Sequence, residues 1–348
     1  MSIDSISQTI DRALTAAGLN TRSGPIQTVT ATIERALAAA GIAQRRVAPA
    51  PTAAHATTTT ATGTGQFLAL SHADGKTKRS YKLYVPSTYA GKPMPLIVML
   101  HGCKQNPDDF AAGTRMNELA ERDGFLVAYP AQTARENGAN CWNWFEPAQQ
   151  ARDGAEPSII AGIVDAIGAS HEVDASRVFV AGLSAGAAMA VILGATYPEV
   201  FAGVGAHSGL PVGAAHDVPT AFSAMAGRRA RSRNSVRGVG VPTIVFHGDA
   251  DTTVASSNGQ AIVEEAIAAF ARSETTLRKV SGDGPARDGA NWSTTNYVDA
   301  VGRHRVEAWT VRGGAHTWFG GSPEGSYTDA GGPDASAEMV RFFLGTKG

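Results

Sequence analysis

From residue 66 onward, short apolar runs rich in β-branched residues alternate with longer stretches of helical periodicity. Uninterrupted apolar strands separated by helices are typical of a parallel sheet covered on both faces, because both sides of each strand are then buried. The sequence therefore predicts one α/β domain over 66–348, with a mostly parallel, doubly wound sheet. The predicted strands are 80–86, 96–102, 125–130, 177–182, 202–208, 243–248 and 306–311, and the predicted helices lie around 108–122, 157–170, 185–196, 258–271 and 333–344.

The overall composition favours a globular enzyme or binding protein without a nucleic-acid or membrane partner. Hydrophobic residues make up 43% of the chain and the formal net charge is −1, so no large basic surface is expected. The apolar runs are far shorter than the roughly 20 residues that span a bilayer. Five arginines in 227–238 favour a solvated loop. The alternative is a patch that binds an anionic substrate or nucleic acid, and the lack of aromatic residues between the arginines weakens it. We find no metal-ligand cluster, P-loop or dinucleotide fingerprint and expect no cofactor.

The N-terminal segment contains a two-unit repeat. TIDRALTAAGL at 9–19 and TIERALAAAGI at 32–42 are 23 residues apart, and their apolar spacing predicts a helical extension over 1–47. The Ala/Thr/Pro/Gly-rich segment 48–65 predicts a linker. The apolar stripes are thin, so residues 1–45 are either a loosely attached extension or a contact surface for a second copy of the protein or a granule. No basic stretch precedes an apolar core at the N-terminus, which favours a cytoplasmic protein.

Gly182-Leu183-Ser184-Ala185-Gly186 lies between a predicted strand and a predicted helix. A G-x-S-x-G sequence at such a junction is typical of a nucleophile elbow, in which the glycines permit a tight, strained turn that exposes the serine hydroxyl. Ser184 is therefore the predicted nucleophile. The alternative is a small-residue turn that only lets the strand and the helix pack closely.

A serine nucleophile needs a base, and the base needs an acid that orients it; both follow the serine along the chain in hydrolases with this elbow. Asp249 and Asp251 lie on the loop after the strand 243–248. We favour Asp251 as the acid and keep Asp249 as the alternative; the other aspartate would cap a turn. His316, in a glycine-flanked loop after the last strand, is the predicted base, whereas His304 lies at a charged strand entrance.

The tetrahedral intermediate of such a reaction needs hydrogen-bond donors for its oxyanion. The predicted donors are two backbone N–H groups: that of Ala185, directly after the nucleophile, and that of Cys103, in the loop after the strand 96–102. Cys103 is not a predicted nucleophile, because a complete serine machinery exists without its thiol. His101 and His247 each end a strand near the site and are expected to orient loops.

The second cysteine, Cys141, lies in a loop that also carries two tryptophans, Trp142 and Trp144. A Cys103–Cys141 disulfide would fasten this loop to the oxyanion strand and stabilise the fold by roughly 4 kcal/mol in the chain-entropy model. Two buried thiols are the alternative in a reducing compartment. We expect the two indoles to be exposed and to line an acyl pocket, with the filling of a groove beneath the loop as the alternative. The candidate pocket residues are Trp142, Trp144, His207 and Trp318; for His207, packing in the core is the favoured interpretation.

The segments PLIVMLHGCKQNPDDFAAGTRMNELAERDGFLVAYP, CWNWF, RVFVAGLSAGAAMA, PTIVFHGDADTTV and GGAHTWFGG together resemble the polyhydroxybutyrate depolymerase family of esterases, over about residues 66–345. The resemblance implies an α/β-hydrolase fold and hydrolysis of carboxylic esters, with Ser184, Asp251 and His316 as the triad and Cys103 on the oxyanion strand. It also implies kinship with feruloyl and acetylxylan esterases. Many members are secreted, which makes an extracellular location the alternative.

The sequence therefore predicts a serine esterase that acts through an acyl-enzyme on short-chain hydroxyalkanoate esters or oligomers. One alternative is a feruloyl- or acetylxylan-type esterase, with Trp142 and Trp144 stacked on an aromatic acid in the feruloyl case. The other is a granule- or partner-binding protein that acts through residues 1–45.

Overall fold

The computed structural model describes residues 65–75, 77–228, 238–282 and 291–345. The helical extension predicted over 1–47 lies outside the described residues. So do the predicted linker 48–65, apart from Gly65, and most of the arginine-rich segment.

Within the described ranges, ten strands form one sheet. They are β1 (Gln66–Ala73), β2 (Lys78–Val85), β3 (Met94–Leu100), β4 (Leu126–Pro130), β5 (Val173–Leu183), β6 (Gly203–His207), β7 (Thr243–Gly248), β8 (Arg278–Gly282), β9 (Trp292–Val298) and β10 (His304–Val311). Their spatial order is β1-β2-β4-β3-β5-β6-β7-β10-β9-β8. The central strands from β4 to β10 are parallel, and two antiparallel strands lie on each side of them. The mostly parallel sheet expected from the apolar runs is confirmed.

Helices cover both faces of this sheet. They are α1 (Pro107–Thr114), α2 (Met116–Asp123), α3 (Ala155–Ser170), α4 (Ala185–Thr196), α5 (Val218–Met225), α6 (Ser257–Arg272) and α7 (Ala335–Gly345), and a 3-10 turn spans Pro147–Gln150. A short parallel pair, β11 (Trp318–Phe319) and β12 (Thr328–Asp329), follows the main sheet. Among the described helices, none combines the length and the apolar character needed to cross a membrane.

Alternate residues of β3 enter two separate apolar cores. Leu96, Val98 and Leu100 pack in the core that α3 and α4 cover, whereas Ile97 and Met99 pack in the core that α1, α2 and α7 cover. All five side chains are completely buried. The two-residue period of a strand thus distributes an uninterrupted apolar run between the two faces, which is why the run does not alternate with polar residues.

The helix predicted around 108–122 is two helices, which corrects that prediction. The break is at Arg115, whose φ of 53° is left-handed and which ends α1 and begins α2. The Arg115 guanidinium donates to Gly320 O at 3.0 Å and pairs with Asp334 at 3.2 Å. Contacts with a distant part of the chain thus accompany a backbone conformation that local periodicity does not predict.

Two glycines let the turn between β5 and α4 lie directly against β3. A Cβ on Gly182 would lie 2.6 Å from Leu100 O, and a Cβ on Gly186 would lie 2.0 Å from the same oxygen. This oxygen belongs to the main chain of a central strand, which cannot move aside without disrupting the sheet. The sequence G-x-S-x-G is therefore a packing requirement at this position.

We expect Gly186→Ala to lower the free energy of unfolding by about 1–3 kcal/mol, because the added methyl group overlaps the β3 backbone. Chemical denaturation with urea measures the change. Gly168→Ala is the matched control: this glycine lies on α3 with open space around its Cα, and the change should raise stability by up to about 1 kcal/mol. Equal stability of the Gly186→Ala protein and the wild type would contradict the packing argument.

Candidate active site

The predicted catalytic residues all follow the carboxyl ends of central parallel strands. Ser184 follows β5, Asp251 follows β7 and His316 follows β10. The ends of these strands are in register, since Leu183 pairs with His207 of β6 and Val311 of β10 pairs with Gly248 of β7. The carboxyl edge of a parallel sheet is where such folds form their sites.

Ser184 has a backbone conformation that non-glycine residues rarely adopt. Its φ is 57° and its ψ is −117°, a region whose occupation costs of the order of 1–3 kcal/mol. The conformation is held by neighbours: Ser184 N–H donates to His207 O at 2.9 Å, and Ser184 O accepts from Ala188 N–H at 2.9 Å. The side chain is partly exposed. The strained turn is that of a nucleophile elbow.

Asp251 and His316 form a hydrogen-bonded pair. His316 Nδ1 lies 2.7 Å from Asp251 Oδ2. The other carboxylate oxygen, Oδ1, accepts from Thr253 N–H at 2.9 Å and from Val254 N–H at 2.8 Å. Burial by itself would raise the pKa of Asp251, but the imidazoles of His247 and His316 and the Val254 N–H outweigh it and hold this pKa well below its usual range. The carboxylate is therefore ionised and fixes the imidazole with Nδ1 protonated.

Asp249 and His304, the other candidates for the acid and the base, make different contacts. Asp249 is exposed, and its Oδ1 accepts from Gly313 N–H at 2.7 Å, so it caps a turn as expected for the aspartate that is not the acid. His304 lies 3.6 Å from Glu307 at the start of β10, on the opposite edge of the sheet from the elbow.

Within the described ranges, Ser184 Oγ makes no hydrogen bond to His316; in unliganded sites such contacts are often long. The two segments are linked through His207, which accepts from Ser184 N–H with its carbonyl oxygen and from Phe319 N–H with its ring Nε2, at 3.2 Å. His207 thus connects the elbow to the loop that carries His316.

The loop after β3, which carries Cys103, packs against the end of β5 next to the elbow. A Cβ on Gly102 would lie 3.4 Å from Leu183 O, directly before Ser184. Neither Cys103 N–H nor Ala185 N–H donates to another described residue. These two N–H groups are therefore available to an oxyanion, as an oxyanion hole requires.

The loop that presents Cys103 is fastened on two sides. A disulfide joins Cys103 to Cys141, and Lys104 N–H donates to Ala139 O at 2.7 Å. On the other side, Gln105 Oε1 accepts from Gly102 N–H at 2.9 Å and its amide donates to Ser326 O at 3.0 Å. The position of the Cys103 N–H is therefore set by contacts with segments far away in the sequence.

A buried polar cluster lies beneath the Cys141 loop and was not predicted from the sequence. Glu156 and Arg79 are each 2% exposed. Glu156 accepts from Asn143 N–H at 2.7 Å, from the Asn143 amide at 2.8 Å and from the Gln132 side chain, and the Gln132 oxygen accepts from Arg79. Burial raises the pKa of Glu156, against these hydrogen bonds and the charge of Arg79. An acidic residue in the first turn of a helix is common, so the sequence contains no signal for this role.

The expectation of exposed tryptophans is wrong. Trp142 is completely buried and Trp144 is 6% exposed. The indole N–H of Trp142 donates to His101 O at 3.1 Å. This bond supplies the acceptor that a buried indole needs and so stabilises the inward position of the ring. His101 Nε2 accepts from Gln132 N–H at 3.0 Å, and burial lowers the pKa of His101 to about 4. Both rings therefore support the loop from inside.

His207 and Trp318 are also interior residues, which corrects their assignment to the pocket surface. His207 is 0% and Trp318 is 1% exposed. Their rings stack with centroids 5.0 Å apart, and the Trp318 indole donates to Ser336 Oγ at 3.0 Å. For His207 this environment is the core packing that the sequence favoured over a pocket role.

A comparison with solved structures concerns the fold. The solved structure of an acetyl xylan esterase from Aspergillus awamori superposes with a TM-score of 0.63 at 21% identity, over 80% of this chain and 99% of that one. That likeness concerns the fold, and the α/β-hydrolase fold expected from the sequence is confirmed.

The family follows from sequence similarity. The family model described as esterase PHB depolymerase matches residues 79–284, more than half of the chain, and the chain belongs to this family. Poly(3-hydroxyalkanoate) depolymerase C of Paucimonas lemoignei is 38% identical over 195 residues, 52% of this chain and 46% of that protein. Feruloyl esterase B of Neurospora crassa is 39% identical over 128 residues, 36% of this chain and 42% of that protein. The chain thus spans less than half the length of these two relatives. Acetylxylan esterase A of Emericella nidulans is 27% identical over 273 residues, 71% of this chain and 86% of that protein.

We expect the Cys103–Cys141 disulfide to contribute about 4 kcal/mol to the free energy of unfolding, because it closes a loop across a sequence separation of 38 residues. Urea denaturation with and without a reductant measures the contribution. The wild type should lose stability in the reductant, whereas the double variant Cys103→Ser/Cys141→Ser should be insensitive to it. Free alkylation of both thiols in the native, unreduced protein would contradict this prediction.

Asp251 should make stability depend on pH in the acid range. Its pKa is lower in the folded protein than the value of about 3.9 in an unfolded chain, so its contribution is complete above that value and is lost as the pH falls towards the folded pKa. The difference in free energy of unfolding between wild type and Asp251→Asn should therefore shrink progressively as the pH falls below about 5. Asp249→Asn, an exposed change on the same loop, is the matched control. A difference that stays constant or grows would rule out the favoured ionised form.

Proposed function

We propose that the protein is a serine carboxylic-ester hydrolase that acts through an acyl-enzyme. The observation that carries the proposal is the 2.7 Å pairing of Asp251 with His316 at the sheet edge where Ser184 occupies a strained elbow. Membership of an esterase family supports the reaction class. The polypeptide supplies a nucleophile, a base and a fixed carboxylate, which together suffice for acyl transfer.

In the first half of the reaction, His316 Nε2 takes the proton of Ser184 Oγ while Oγ bonds to the ester carbonyl carbon. The carbonyl oxygen becomes an oxyanion and accepts hydrogen bonds from Cys103 N–H and Ala185 N–H. The C–O bond to the alcohol then breaks, and the protonated imidazole gives its proton to the leaving oxygen. Asp251 stays ionised and stabilises the imidazolium.

In the second half, water replaces the alcohol. His316 takes a proton from water, the hydroxide attacks the acyl carbon, and Ser184 Oγ leaves with the proton that the imidazole returns. The products are the free acid and the regenerated serine. The same two N–H groups serve both tetrahedral intermediates, so the rigidity of the Cys103 loop acts in each half-reaction.

For the substrate, we propose short-chain hydroxyalkanoate esters or oligomers. The name of the 38%-identical Paucimonas lemoignei relative, a poly(3-hydroxyalkanoate) depolymerase, supports this class. The burial of Trp142 and Trp144 weighs against the feruloyl alternative, because neither indole offers an open face for stacking on an aromatic acid. Acetylated xylan is the second candidate, favoured by the acetylxylan esterase of Emericella nidulans, which aligns over 71% of this chain.

The test is the hydrolysis of 3-hydroxybutyrate oligomers, acetylated xylo-oligosaccharides and methyl ferulate, compared by kcat/KM. We expect the oligomers to be preferred and Ser184→Ala to lower kcat by about 10⁶-fold, since removal of a serine nucleophile leaves only binding and the oxyanion hole. Asp251→Asn should lower kcat by about 10⁴-fold, and Asp249→Asn should leave it near the wild-type value.

Two outcomes would overturn the proposal. Ester hydrolysis that survives in Ser184→Ala would exclude the mechanism, provided that the variant unfolds at the same urea concentration as the wild type. A wild-type protein that hydrolyses none of the three substrates would exclude the function.

A further inference from the structure

His207 is a fully buried ionisable group at the centre of the catalytic edge, and the proposed reaction gives it no step. It ends β6, the strand between β5, which leads to Ser184, and β7, which leads to Asp251. It is 0% exposed, so it contacts neither substrate nor solvent. An imidazole is a costly side chain to bury unless its ring nitrogens are hydrogen-bonded.

Both ring nitrogens of His207 have partners. Nε2 accepts from Phe319 N–H at 3.2 Å, and Nδ1 lies 3.3 Å from Ser208 Oγ. Because an N–H group can only donate, Nε2 must be unprotonated, which places the proton on Nδ1 and leaves Ser208 Oγ as the acceptor. Burial and the nearby imidazoles of His247 and His316 hold the pKa of His207 well below its usual range, against the opposing charge of Asp251. The ring is therefore neutral and able to accept.

The ring also lies between aromatic side chains of the two neighbouring catalytic segments. It is stacked on Phe246 of β7 with centroids 5.7 Å apart and planes within 9°. The His207 ring is also stacked on Trp318, two residues after His316, with centroids 5.0 Å apart and planes that differ by 24°. The Phe246 strand leads to Asp251, so one side chain touches the segments that carry both members of the acid–base pair.

The backbone of His207 completes the link, since its carbonyl oxygen accepts from Ser184 N–H at 2.9 Å. The nucleophile and the general base otherwise follow strands that are separated by two others in the sheet. A residue that binds the elbow with its main chain and the His316 loop with its side chain sets the distance between them.

We propose that His207 is a positioning residue, which holds the loop of His316 in register with Ser184 through the bond from Phe319 N–H to its neutral ring. This inference rests on the proposed esterase mechanism. A space-filling role would need only the volume of the ring, whereas positioning needs the acceptor at Nε2. The two roles are separated by side chains that differ in the acceptor.

The test compares three variants. His207→Gln places an amide oxygen near the position of Nε2, His207→Leu has similar bulk and no acceptor, and His207→Asn has an amide that is one carbon too short to reach Phe319. We expect Leu and Asn to lower kcat for a short ester by on the order of 10²-fold, as a displaced general base does. KM should stay near the wild-type value, because the substrate does not touch His207. Gln should recover most of kcat.

A second readout is the amide hydrogen exchange of Phe319, which should be slow in the wild type and in His207→Gln and faster in the other two variants. If His207→Leu does not fold, the comparison of His207→Asn with His207→Gln still separates loss of the acceptor from its retention. The inference is overturned if Leu and Asn lower only thermal stability and keep kcat, or if Gln loses as much kcat as Leu. A wild type without esterase activity would instead refute the proposed function, and the Phe319 exchange rates would still decide whether the ring holds the loop.

Discussion

The approach of β3 to the Ser184 turn is the constraint on which the rest of the catalytic edge depends. A Cβ on Gly186 would lie 2.0 Å from Leu100 O, so the strand and the turn leave no room for a side chain at this position. This approach places the loop after β3 beside the start of α4, where Cys103 N–H and Ala185 N–H are both without an acceptor among the described residues. The proposed oxyanion hole therefore depends on main-chain packing, which requires glycine at both 182 and 186.

The surrounding polar groups keep this arrangement rigid. The Cys103–Cys141 disulfide ties the donor loop to a segment that is itself held from below by Glu156 and Gln132. A buried carboxylate is destabilising unless it is fully hydrogen-bonded, and Glu156 is held by main-chain and side-chain donors. On the other side, His207 connects the elbow to the base loop. In the proposed mechanism, donors and a base that are fixed before the substrate binds need no reorganisation during the reaction, and such preorganisation contributes much of the stabilisation of a transition state.

The sequence predicted the parallel sheet and the elbow because both depend on local patterns: uninterrupted apolar runs and two glycines around a serine. It missed the outer strands β1, β8 and β9. The residues of β1 and β9 are largely exposed or half-buried, so these strands lack a continuous apolar run. It placed Trp142 on the surface, because the sequence of the loop does not show that a buried carbonyl oxygen, His101 O, accepts a hydrogen bond from the indole N–H. Gln132 links Arg79 to Glu156, which are 77 positions apart, and a single sequence carries no signal for such a cluster.

The most direct measurement of the central claim is a crystal structure of the protein after reaction with a p-nitrophenyl alkylphosphonate, which mimics the tetrahedral intermediate of ester hydrolysis. The account predicts a covalent bond from phosphorus to Ser184 Oγ, with one phosphonate oxygen about 3 Å from both Cys103 N–H and Ala185 N–H and His316 Nε2 facing the leaving-group side. A phosphonate bound to another residue, or one whose oxygen contacts neither N–H, would contradict it.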